Sequence, residues 1–355
     1  MRLPENATLM AVTCLIVAAT PQDAYSQTAN VDPTTVELTN GFDHIGAEVH
    51  SIDVDGRAVF FIDDGSAEGR PVVFIGGQGT SLAAFQLTEF NRATRLALGL
   101  RMISVERNGF GESPLDPERG YADYASEILA VLNHLGVDKF AIVAISGGGA
   151  YAAHLAAREP DRVLSLHATA ASPRTLPTRS EPDCSVSMDD MKEKLTSYTH
   201  TPKNWWGVPG SPVLVIPGWQ AEAYGDATRS FYVNGQLGDP TALATEYLLP
   251  CSEGAVADTA RISAPAYLYW GSADKVVPVA AMEQWQAALP NVVRATVYEG
   301  QGHTVQYRHW DQVLADIAGV GDHTVLCRDG QTQLVANADV GSDAFLGNCA
   351  WQPAE

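Results

Sequence analysis

One apolar stretch that ends in a single serine constrains the fold of this chain more than any other feature. Residues 140–145 are six consecutive apolar residues rich in isoleucine and valine, which is typical of a strand buried on both faces of a parallel sheet. Ser146 comes next, then three glycines, and then residues 150–158, an alanine-rich run with good helix propensity. The pattern predicts a sharp turn from strand to helix that exposes the hydroxyl of Ser146.

Small residues on either side of the serine allow such a turn to form. Ala144 and Gly148, two positions before and after it, let the strand and the helix pass without collision. The backbone N–H of Gly147 then lies at the start of the helix, where it can face a developing oxyanion. A glycine-rich turn with an incidental serine would show the same local pattern, so the rest of the chain has to discriminate between the two interpretations.

Strands and helices alternate over most of the chain. We expect strands at residues 48–54, 58–62, 71–75, 101–105, 163–168, 264–270 and 292–298, and helices at residues 82–98, 121–135, 282–289 and 304–318. This alternation predicts an α/β fold with right-handed crossovers and a mostly parallel sheet flanked by helices. Asp55 and Gly56 separate the first two strands, which favours an antiparallel hairpin at one edge of the sheet.

The alternation stops between residues 173 and 263, which we predict to be a mostly helical insertion. On this division the core consists of residues 27–172 and 264–320. Residues 321–355 then form a C-terminal tail, with a short β-hairpin over residues 324–334.

The first 26 residues have the features of a signal peptide. Residues 9–19 form an apolar run too short to span a bilayer. Arg2 precedes this run, and residues 24–26 are spaced like a signal-peptidase site. We therefore expect residues 1–26 to be removed and the mature protein to be secreted or periplasmic.

Removal of this segment leaves four cysteines, an even number that predicts two disulfides in an exported protein. Three pairings are compatible with the sequence, and the local choice joins Cys184 to Cys251 and Cys327 to Cys349. None of the four lies in a Cys-x-x-Cys motif or a histidine-rich cluster. We therefore predict no metal site and no cofactor.

The charge of the chain excludes two classes of partner. There are 42 acidic and 22 basic residues, which give a formal net charge of −20. Such a surface repels phosphate backbones and anionic lipid headgroups, so we expect neither nucleic acid nor a membrane as a partner of the mature protein. The charge does not name a substrate, and the small-molecule ester or amide that we predict as the partner follows from the catalytic residues instead.

A nucleophilic serine needs a base that accepts its proton and an acid that orients the base. Asp274 follows the predicted strand at residues 264–270, and His303 follows the one at residues 292–298. Both therefore lie at the carboxyl edge of the sheet, where Ser146 is also presented. The other histidines considered as bases fall inside predicted strands or helices and are assigned to packing or surface positions: His134, His154, His167 and His309.

These motifs together resemble the α/β-hydrolase superfamily over most of residues 45–320. Residues 76–79, Gly-Gly-Gln-Gly, stand where the family usually has His-Gly-x-Pro-Gly, and residues 106–113 resemble its Asp-Arg-x-Gly-x-Gly-x-Ser loop. Residues 144–148 match the nucleophile elbow. The resemblance implies a serine hydrolase with a helical cap over its site, the cap being the insertion.

The resemblance also implies a role for each site residue. Ser146 would be the nucleophile, His303 the general base and then acid, and Asp274 its orienting partner. The backbone N–H groups of Gln78 and Gly147 would form the oxyanion hole. Two departures, Gly76 for the usual histidine and Ala144 for the first glycine of the elbow, remove no catalytic atom.

Five residues are candidates for substrate binding: Gly77, Ile145, Trp205, Trp206 and Trp219. Glycine-rich backbone near Gly77 can approach a substrate closely. The three tryptophans of the insertion either line an apolar acyl or aryl pocket or form the core of the insertion itself, and the sequence leaves both alternatives open.

A serine at the elbow excludes the relatives of this fold that use aspartate there, such as haloalkane dehalogenases and many epoxide hydrolases. We therefore expect a secreted serine hydrolase that cleaves carboxylic esters or lactones through an acyl-enzyme. One alternative is a proline-type aminopeptidase, whose substrate ammonium would need acidic groups such as Glu181, Asp183, Asp189 or Asp190. The other is a non-catalytic binding protein that has kept the fold.

Overall fold

A computed structural model of the chain describes residues 32–36, 38, 48–173, 184–200, 239–253, 258–342 and 344–351. Several predicted features lie outside these residues: the signal peptide at residues 1–26, Trp205, Trp206, Trp219, Glu181 and Asp183. The division into core, insertion and tail stays a prediction. No helix within the described ranges is both long enough and apolar enough to cross a membrane.

A single large sheet organises the described part of the chain. Its eight strands are β1 (Val49–Val54), β2 (Arg57–Asp64), β3 (Arg70–Ile75), β4 (Leu100–Val105), β5 (Phe140–Ile145), β6 (Val163–Thr169), β7 (Ala266–Gly271) and β8 (Val292–Tyr298). They lie in the order β1-β2-β4-β3-β5-β6-β7-β8. β1 and β2 pair antiparallel, β2 joins β4 antiparallel, and every later pairing in the sheet is parallel. The predicted α/β fold with a mostly parallel sheet is confirmed.

The hairpin at the sheet edge turns where the sequence predicts. Val54 pairs with Arg57, and the two residues between them, Asp55 and Gly56, have φ angles of +53° and +82°. Both angles lie in the left-handed region that a two-residue hairpin turn with right-handed strand twist requires.

The helices cover both faces of the sheet, as its doubly buried strands require. Their bounds are α1 (Arg92–Ala97), α2 (Tyr121–His134), α3 (Gly148–Arg158), α4 (Met188–His200), α5 (Thr241–Glu253), α6 (Val279–Ala288), α7 (Val305–Arg308) and α8 (Trp310–Ile317). Every residue of the central strand β5 is buried. The strand therefore supplies a rigid base for the serine that follows it.

The predicted helix at residues 82–98 is wrong over most of its length. A 3₁₀ helix occupies Leu82–Asn91, and only α1 is an α-helix. Buried polar contacts hold this segment: the carboxylate of Glu106, just after β4, accepts the N–H of Leu82 at 2.9 Å, and Arg95 of α1 pairs with Glu89 at 2.7 Å. Tertiary contacts of this kind override the helical periodicity of the sequence.

The predicted closing helix at residues 304–318 is divided at His309 into α7 and α8. The His309 ring stacks on Tyr298 with 3.6 Å between ring centroids, and its Nε2 lies 3.0 Å from Gln301 Oε1. These contacts explain the break, because they hold the backbone of His309 at φ −118°, outside the helical region.

Two helices of the insertion, α4 and α5, are described, and they pack on each other. Met191 and Leu195 of α4 form a buried cluster with Leu243 and Ala244 of α5. The Cys184–Cys251 disulfide joins the segment just before α4 to the last turn of α5. The described part of the insertion is thus a clamped pair of helices.

The tail is a small antiparallel sheet. Its strands are β9 (His323–Arg328), β10 (Gln331–Ala336) and β11 (Phe345–Leu346), in the order β10-β9-β11. The predicted hairpin around Asp329 and Gly330 is confirmed, and Cys327 is bonded to Cys349. Trp351 packs edge-on against Phe90 with ring centroids 5.8 Å apart, so the tail is anchored to the core.

Candidate active site

The turn after β5 presents Ser146 in a left-handed backbone conformation with φ +50°. Such a conformation is strained for a residue with a side chain and persists only where the surroundings impose it. Here the Ser146 carbonyl accepts the N–H of Ser172 at 2.8 Å. A Cβ added at Gly148 would lie 2.6 Å from the carbonyl oxygens of Ile75 and Gly76, so the tight packing of α3 against β3 requires a glycine there.

The structure brings the three side chains predicted for catalysis into one chain of hydrogen bonds. His303 Nε2 lies 3.0 Å from Ser146 Oγ, and His303 Nδ1 lies 2.8 Å from Asp274 Oδ2. A carboxylate only accepts hydrogen bonds, so Nδ1 carries the proton of a neutral imidazole and Nε2 is left as the acceptor facing the serine hydroxyl.

The aspartate of this chain is itself held by the backbone. Asp274 Oδ1 accepts the N–H groups of Val276 and Val277 at 2.8 and 2.9 Å. The Asp274 side chain is fully buried, whereas that of His303 is 20% exposed. The carboxylate is therefore fixed in orientation, and the imidazole keeps access to a substrate.

The loops after β7 and β8 also bind each other. The N–H of Ala273 donates to the carbonyl of Gln301 at 2.8 Å, and the N–H of Gly300 donates to Ser272 Oγ at 2.8 Å. A Cβ at Gly271 would overlap the Gln301 carbonyl oxygen. The positions of Asp274 and His303 are therefore coupled through backbone contacts.

The glycine-rich segment of residues 76–80 lies directly beside the serine. A Cβ added at Gly77 would lie 3.3 Å from Ser146 Cβ, and one added at Gly147 would lie 3.0 Å from the backbone nitrogen of Gln78. The backbones of Gln78 and Gly147 thus meet next to Ser146, as an oxyanion hole built from both would require.

Thr80 explains why glycine replaces the usual histidine at position 76. A Cβ at Gly76 would lie 2.6 Å from Thr80 Oγ1. The Thr80 hydroxyl donates to the Gly77 carbonyl at 2.6 Å and so fills this space with a local hydrogen bond.

Sequence reasoning missed one buried cluster at the site. Arg107 Nη2 donates to the carbonyls of Gly77 and Thr80 at 2.5 and 2.6 Å, and Nη1 pairs with Glu246 of α5 at 2.6 Å. Glu246 Oε2 accepts the N–H of Gly79 at 2.6 Å. Burial lowers the pKa of Arg107, but Glu246 together with the nearby groups Tyr151, Tyr124 and Glu106 outweighs this effect, and the net pKa is raised.

The signal for Arg107 was present in the loop of residues 106–113, which carries an arginine at its second position. Glu246 had no such signal, because it lies in the insertion, where no motif or strand–helix alternation distinguishes one carboxylate from another.

The remaining candidates divide into those near the serine and those elsewhere. Ile145 is 5% exposed at the end of β5, next to Ser146. Asp189 and Asp190 are exposed in the first turn of α4, and Asp190 accepts the hydroxyl of Ser187 at 2.7 Å, as a residue that stabilises a helix start does. Within the described ranges, no group of three or more histidine, cysteine or acidic residues is placed to hold a metal ion.

Comparison with known proteins supports this interpretation of the fold. A family model described as the alpha/beta hydrolase fold matches residues 70–195. The pimeloyl-(acyl-carrier protein) methyl ester esterase of Chromobacterium violaceum is 29% identical over 232 residues, 64% of this chain and 84% of the esterase. The non-heme haloperoxidase of Rhodococcus erythropolis is 27% identical over 269 residues, 74% of this chain and 95% of that protein.

Solved structures share the same architecture. The bromoperoxidase from Bacillus anthracis superposes with a TM-score of 0.58 at 18% identity, covering 77% of this chain and 100% of that one. The sheet order, the family match over residues 70–195 and these relatives show that the chain has the α/β-hydrolase fold. The esterase among the relatives supports a hydrolase as the class of enzyme.

Proposed function

We propose that this protein is a secreted or periplasmic serine hydrolase that cleaves carboxylic esters or lactones. The observation that carries the proposal is the hydrogen-bonded chain Ser146–His303–Asp274, with 3.0 and 2.8 Å between the joined atoms. A nucleophile within hydrogen-bond reach of a base that a third group orients is the arrangement that acyl transfer requires.

In the acylation half-reaction, Ser146 Oγ attacks the ester carbonyl carbon while His303 Nε2 accepts the hydroxyl proton. The carbonyl π electrons move to the oxygen, and the resulting oxyanion accepts hydrogen bonds from the N–H groups of Gln78 and Gly147. Collapse of this intermediate expels the alkoxide, to which His303 returns the proton. Asp274 stabilises the imidazolium throughout by accepting its Nδ1–H.

In the deacylation half-reaction, water takes the place of the alcohol. His303 Nε2 accepts a proton from the water as its oxygen attacks the acyl carbon, and a second oxyanion forms in the same position. Collapse releases the carboxylic acid, and the proton returns to Ser146 Oγ. Each oxyanion donor typically contributes about 3 kcal/mol to catalysis, so a displaced Gln78 N–H should raise the activation free energy of both half-reactions.

Three further observations support the substrate class and the location. A strongly acidic chain favours uncharged substrates over anionic ones. The esterase relative is named for a methyl ester, which is an uncharged carboxylic ester. Two disulfides favour an oxidising compartment, where such bonds persist.

The ammonium site of the aminopeptidase alternative gains no support from the described carboxylates. Glu246 of the insertion contacts the glycine-rich segment, but its carboxylate is already paired with Arg107 and accepts the Gly79 N–H. We therefore keep the ester hydrolase as the single proposed function.

A substrate panel tests the proposal. Purified protein would be assayed with p-nitrophenyl esters of increasing acyl length, with aliphatic lactones and with a proline arylamide, and an organophosphonate would be used to label the nucleophile. We expect ester turnover above arylamide turnover and labelling that is lost in Ser146→Ala. Arylamide turnover far above ester turnover would replace the esterase by a peptidase, and a folded protein that resists labelling would point to a binding protein.

A further inference from the structure

We propose that Glu246 is a positioning residue, through which helix α5 of the insertion fixes the oxyanion-hole segment of residues 76–80. The contacts of the Glu246 carboxylate are observed in the structure. Their catalytic meaning rests on the function proposed above, because it requires the Gln78 N–H to be an oxyanion donor.

The segment has little intrinsic rigidity. Three of its first four residues are glycines, and Gly79 adopts φ +76°, a conformation that glycine enters readily. Within the segment, the Thr80 hydroxyl donates a hydrogen bond to the Gly77 carbonyl at 2.6 Å. A defined direction for the Gln78 N–H therefore depends on contacts from outside the segment.

Those contacts hold both neighbours of Gln78. Arg107 holds the carbonyl of Gly77 on one side, and Glu246 holds the N–H of Gly79 on the other at 2.6 Å. The Gly77 carbonyl belongs to the same peptide unit as the Gln78 N–H, and the Gly79 N–H belongs to the next unit. The two anchors therefore restrict rotation on both sides of the Gln78 Cα.

The two anchors also bind each other in a dry environment. Their side chains are 4% and 6% exposed and are 2.6 Å apart. The Tyr151 hydroxyl donates to Glu246 at 3.3 Å, and the Arg107 guanidinium lies 5.2 Å from the Tyr151 ring centre. Removing one charge from such a pair leaves the other buried and uncompensated, so the cost falls on the contacts of the remaining partner.

Glu246 is the member that comes from the insertion, 167 residues away from Gly79 along the chain. Helix α5 is seated closely on the core beside it: a Cβ added at Gly109 would lie 3.0 Å from Ala242 Cβ. The position of the insertion is thereby coupled to the position of an oxyanion donor.

The test compares Glu246→Ala and Glu246→Gln with a matched control, Glu89→Ala. Glu89 is also buried and paired with arginine, Arg95 at 2.7 Å and Arg92 at 3.8 Å, and none of these contacts involves the segment of residues 76–80. We expect kcat for the best ester to fall about 30- to 100-fold in Glu246→Ala with KM within twofold. A misdirected donor reduces the stabilisation of the transition state but not the binding of the substrate. Glu246→Gln keeps an acceptor for the Gly79 N–H but removes the charge that faces Arg107, so it should recover only part of this loss.

Two readouts separate positioning from a general loss of stability. A trifluoromethyl ketone forms a hemiketal with Ser146 Oγ, and the oxyanion of this adduct would occupy the oxyanion hole. Its affinity should therefore fall in parallel with kcat in Glu246→Ala. Glu89→Ala should lower the melting temperature comparably yet leave kcat and the inhibitor affinity unchanged. Equal kcat in Glu246→Ala and wild type, or losses that Glu89→Ala reproduces, would overturn the proposal.

Hydrogen–deuterium exchange provides a readout that needs no activity. The amides of residues 77–80 should exchange at least tenfold faster in Glu246→Ala than in wild type, and unchanged exchange would contradict the coupling. If the wild-type protein turned over no ester while this exchange rose as expected, the proposed function would fail and the anchoring of the segment would stand.

Discussion

The two halves of the site are held in place in different ways. The Ser146 turn is encoded by consecutive residues, the end of β5, Ser146 and the start of α3, and the glycines at positions 148 and 149 let it pack against the backbone of Ile75, Gly76 and Ser172. The glycine-rich segment of residues 76–80 is fixed by side chains 27 to 167 residues away in sequence, on Arg107 and Glu246. The comparison teaches that a local motif can build a nucleophile, whereas an oxyanion hole of flexible backbone needs distant anchors.

The largest expected effect concerns His303, the general base of the proposed mechanism. His303→Ala should lower kcat by about 10⁵-fold, because removal of a triad member leaves only the catalysis due to binding and oxyanion stabilisation. The melting temperature should change little, since the His303 side chain is 20% exposed. Steady-state ester kinetics together with thermal unfolding measure both. A loss below tenfold would show that another group serves as the base.

The next prediction concerns the disulfide bonded to α5, the helix that carries Glu246. The Cys184–Cys251 bridge closes a loop of 67 residues in sequence, so the double variant Cys184→Ser/Cys251→Ser should lose about 4 kcal/mol of unfolding free energy. It should also lower kcat several-fold, because α5 carries Glu246.

The second disulfide supplies the control for that prediction. Cys327→Ser/Cys349→Ser removes the bridge in the tail and should lower stability without changing kcat in the folded protein. Denaturant titration and ester kinetics at a temperature where both variants are folded would distinguish them. Equal kcat losses in the two double variants would remove the special role assigned to α5.

The tightly packed turn at Ser146 should not accommodate one additional methyl group. A Cβ at Gly149 would overlap the carbonyl oxygen of Ser172, which is backbone, so Gly149→Ala should destabilise the fold by about 3 kcal/mol. Gly302→Ala is the matched control, because a Cβ there meets no atom within 4 Å. Urea unfolding of both variants measures the difference, and comparable stabilities would mean that the turn can relax.

The smallest expected effect, taken per pH unit, is a dependence of stability on pH near the glycine-rich segment. Burial raises the pKa of Glu106 from 4.5 to about 8, and this carboxyl accepts the N–H groups of Leu82 and Arg107. The unfolded chain ionises first, so the contribution of Glu106 to stability is constant below pH 4.5 and declines as the pH rises toward 8. The decline amounts to at most about 1.4 kcal/mol per pH unit.

Glu106→Gln isolates this contribution, because it keeps an acceptor oxygen but does not titrate. The difference in unfolding free energy between wild type and Glu106→Gln should move in favour of the variant between pH 4.5 and 8. A difference that stays constant over this range would show that Glu106 is ionised in the fold.

The features that could be predicted from the sequence are those formed by residues close together in the chain. The Ser146 turn follows from the apolar run, the serine and the glycines, and the two hairpins follow from Asp55-Gly56 and Asp329-Gly330. Strand ends placed Asp274 and His303 at the same sheet edge as Ser146, where the structure joins them.

The remaining features depend on contacts between residues far apart in sequence. The Glu106 carboxylate binds Leu82 at the start of a segment whose periodicity favoured an α-helix, and the structure has a 3₁₀ helix there. Glu246 could not be singled out, since its role is set by Arg107 and Gly79, which reach it only in the folded chain.

The left-handed backbone at position 146 limits which nucleophiles this fold can host. Cysteine has the unbranched shape of serine and can take the same φ of +50°, so a thiol enzyme is one substitution away. Threonine would add a methyl group at Cβ, and branched side chains fit poorly in that region of backbone space. The geometry of the turn therefore admits a change of nucleophilic atom but resists the addition of one carbon.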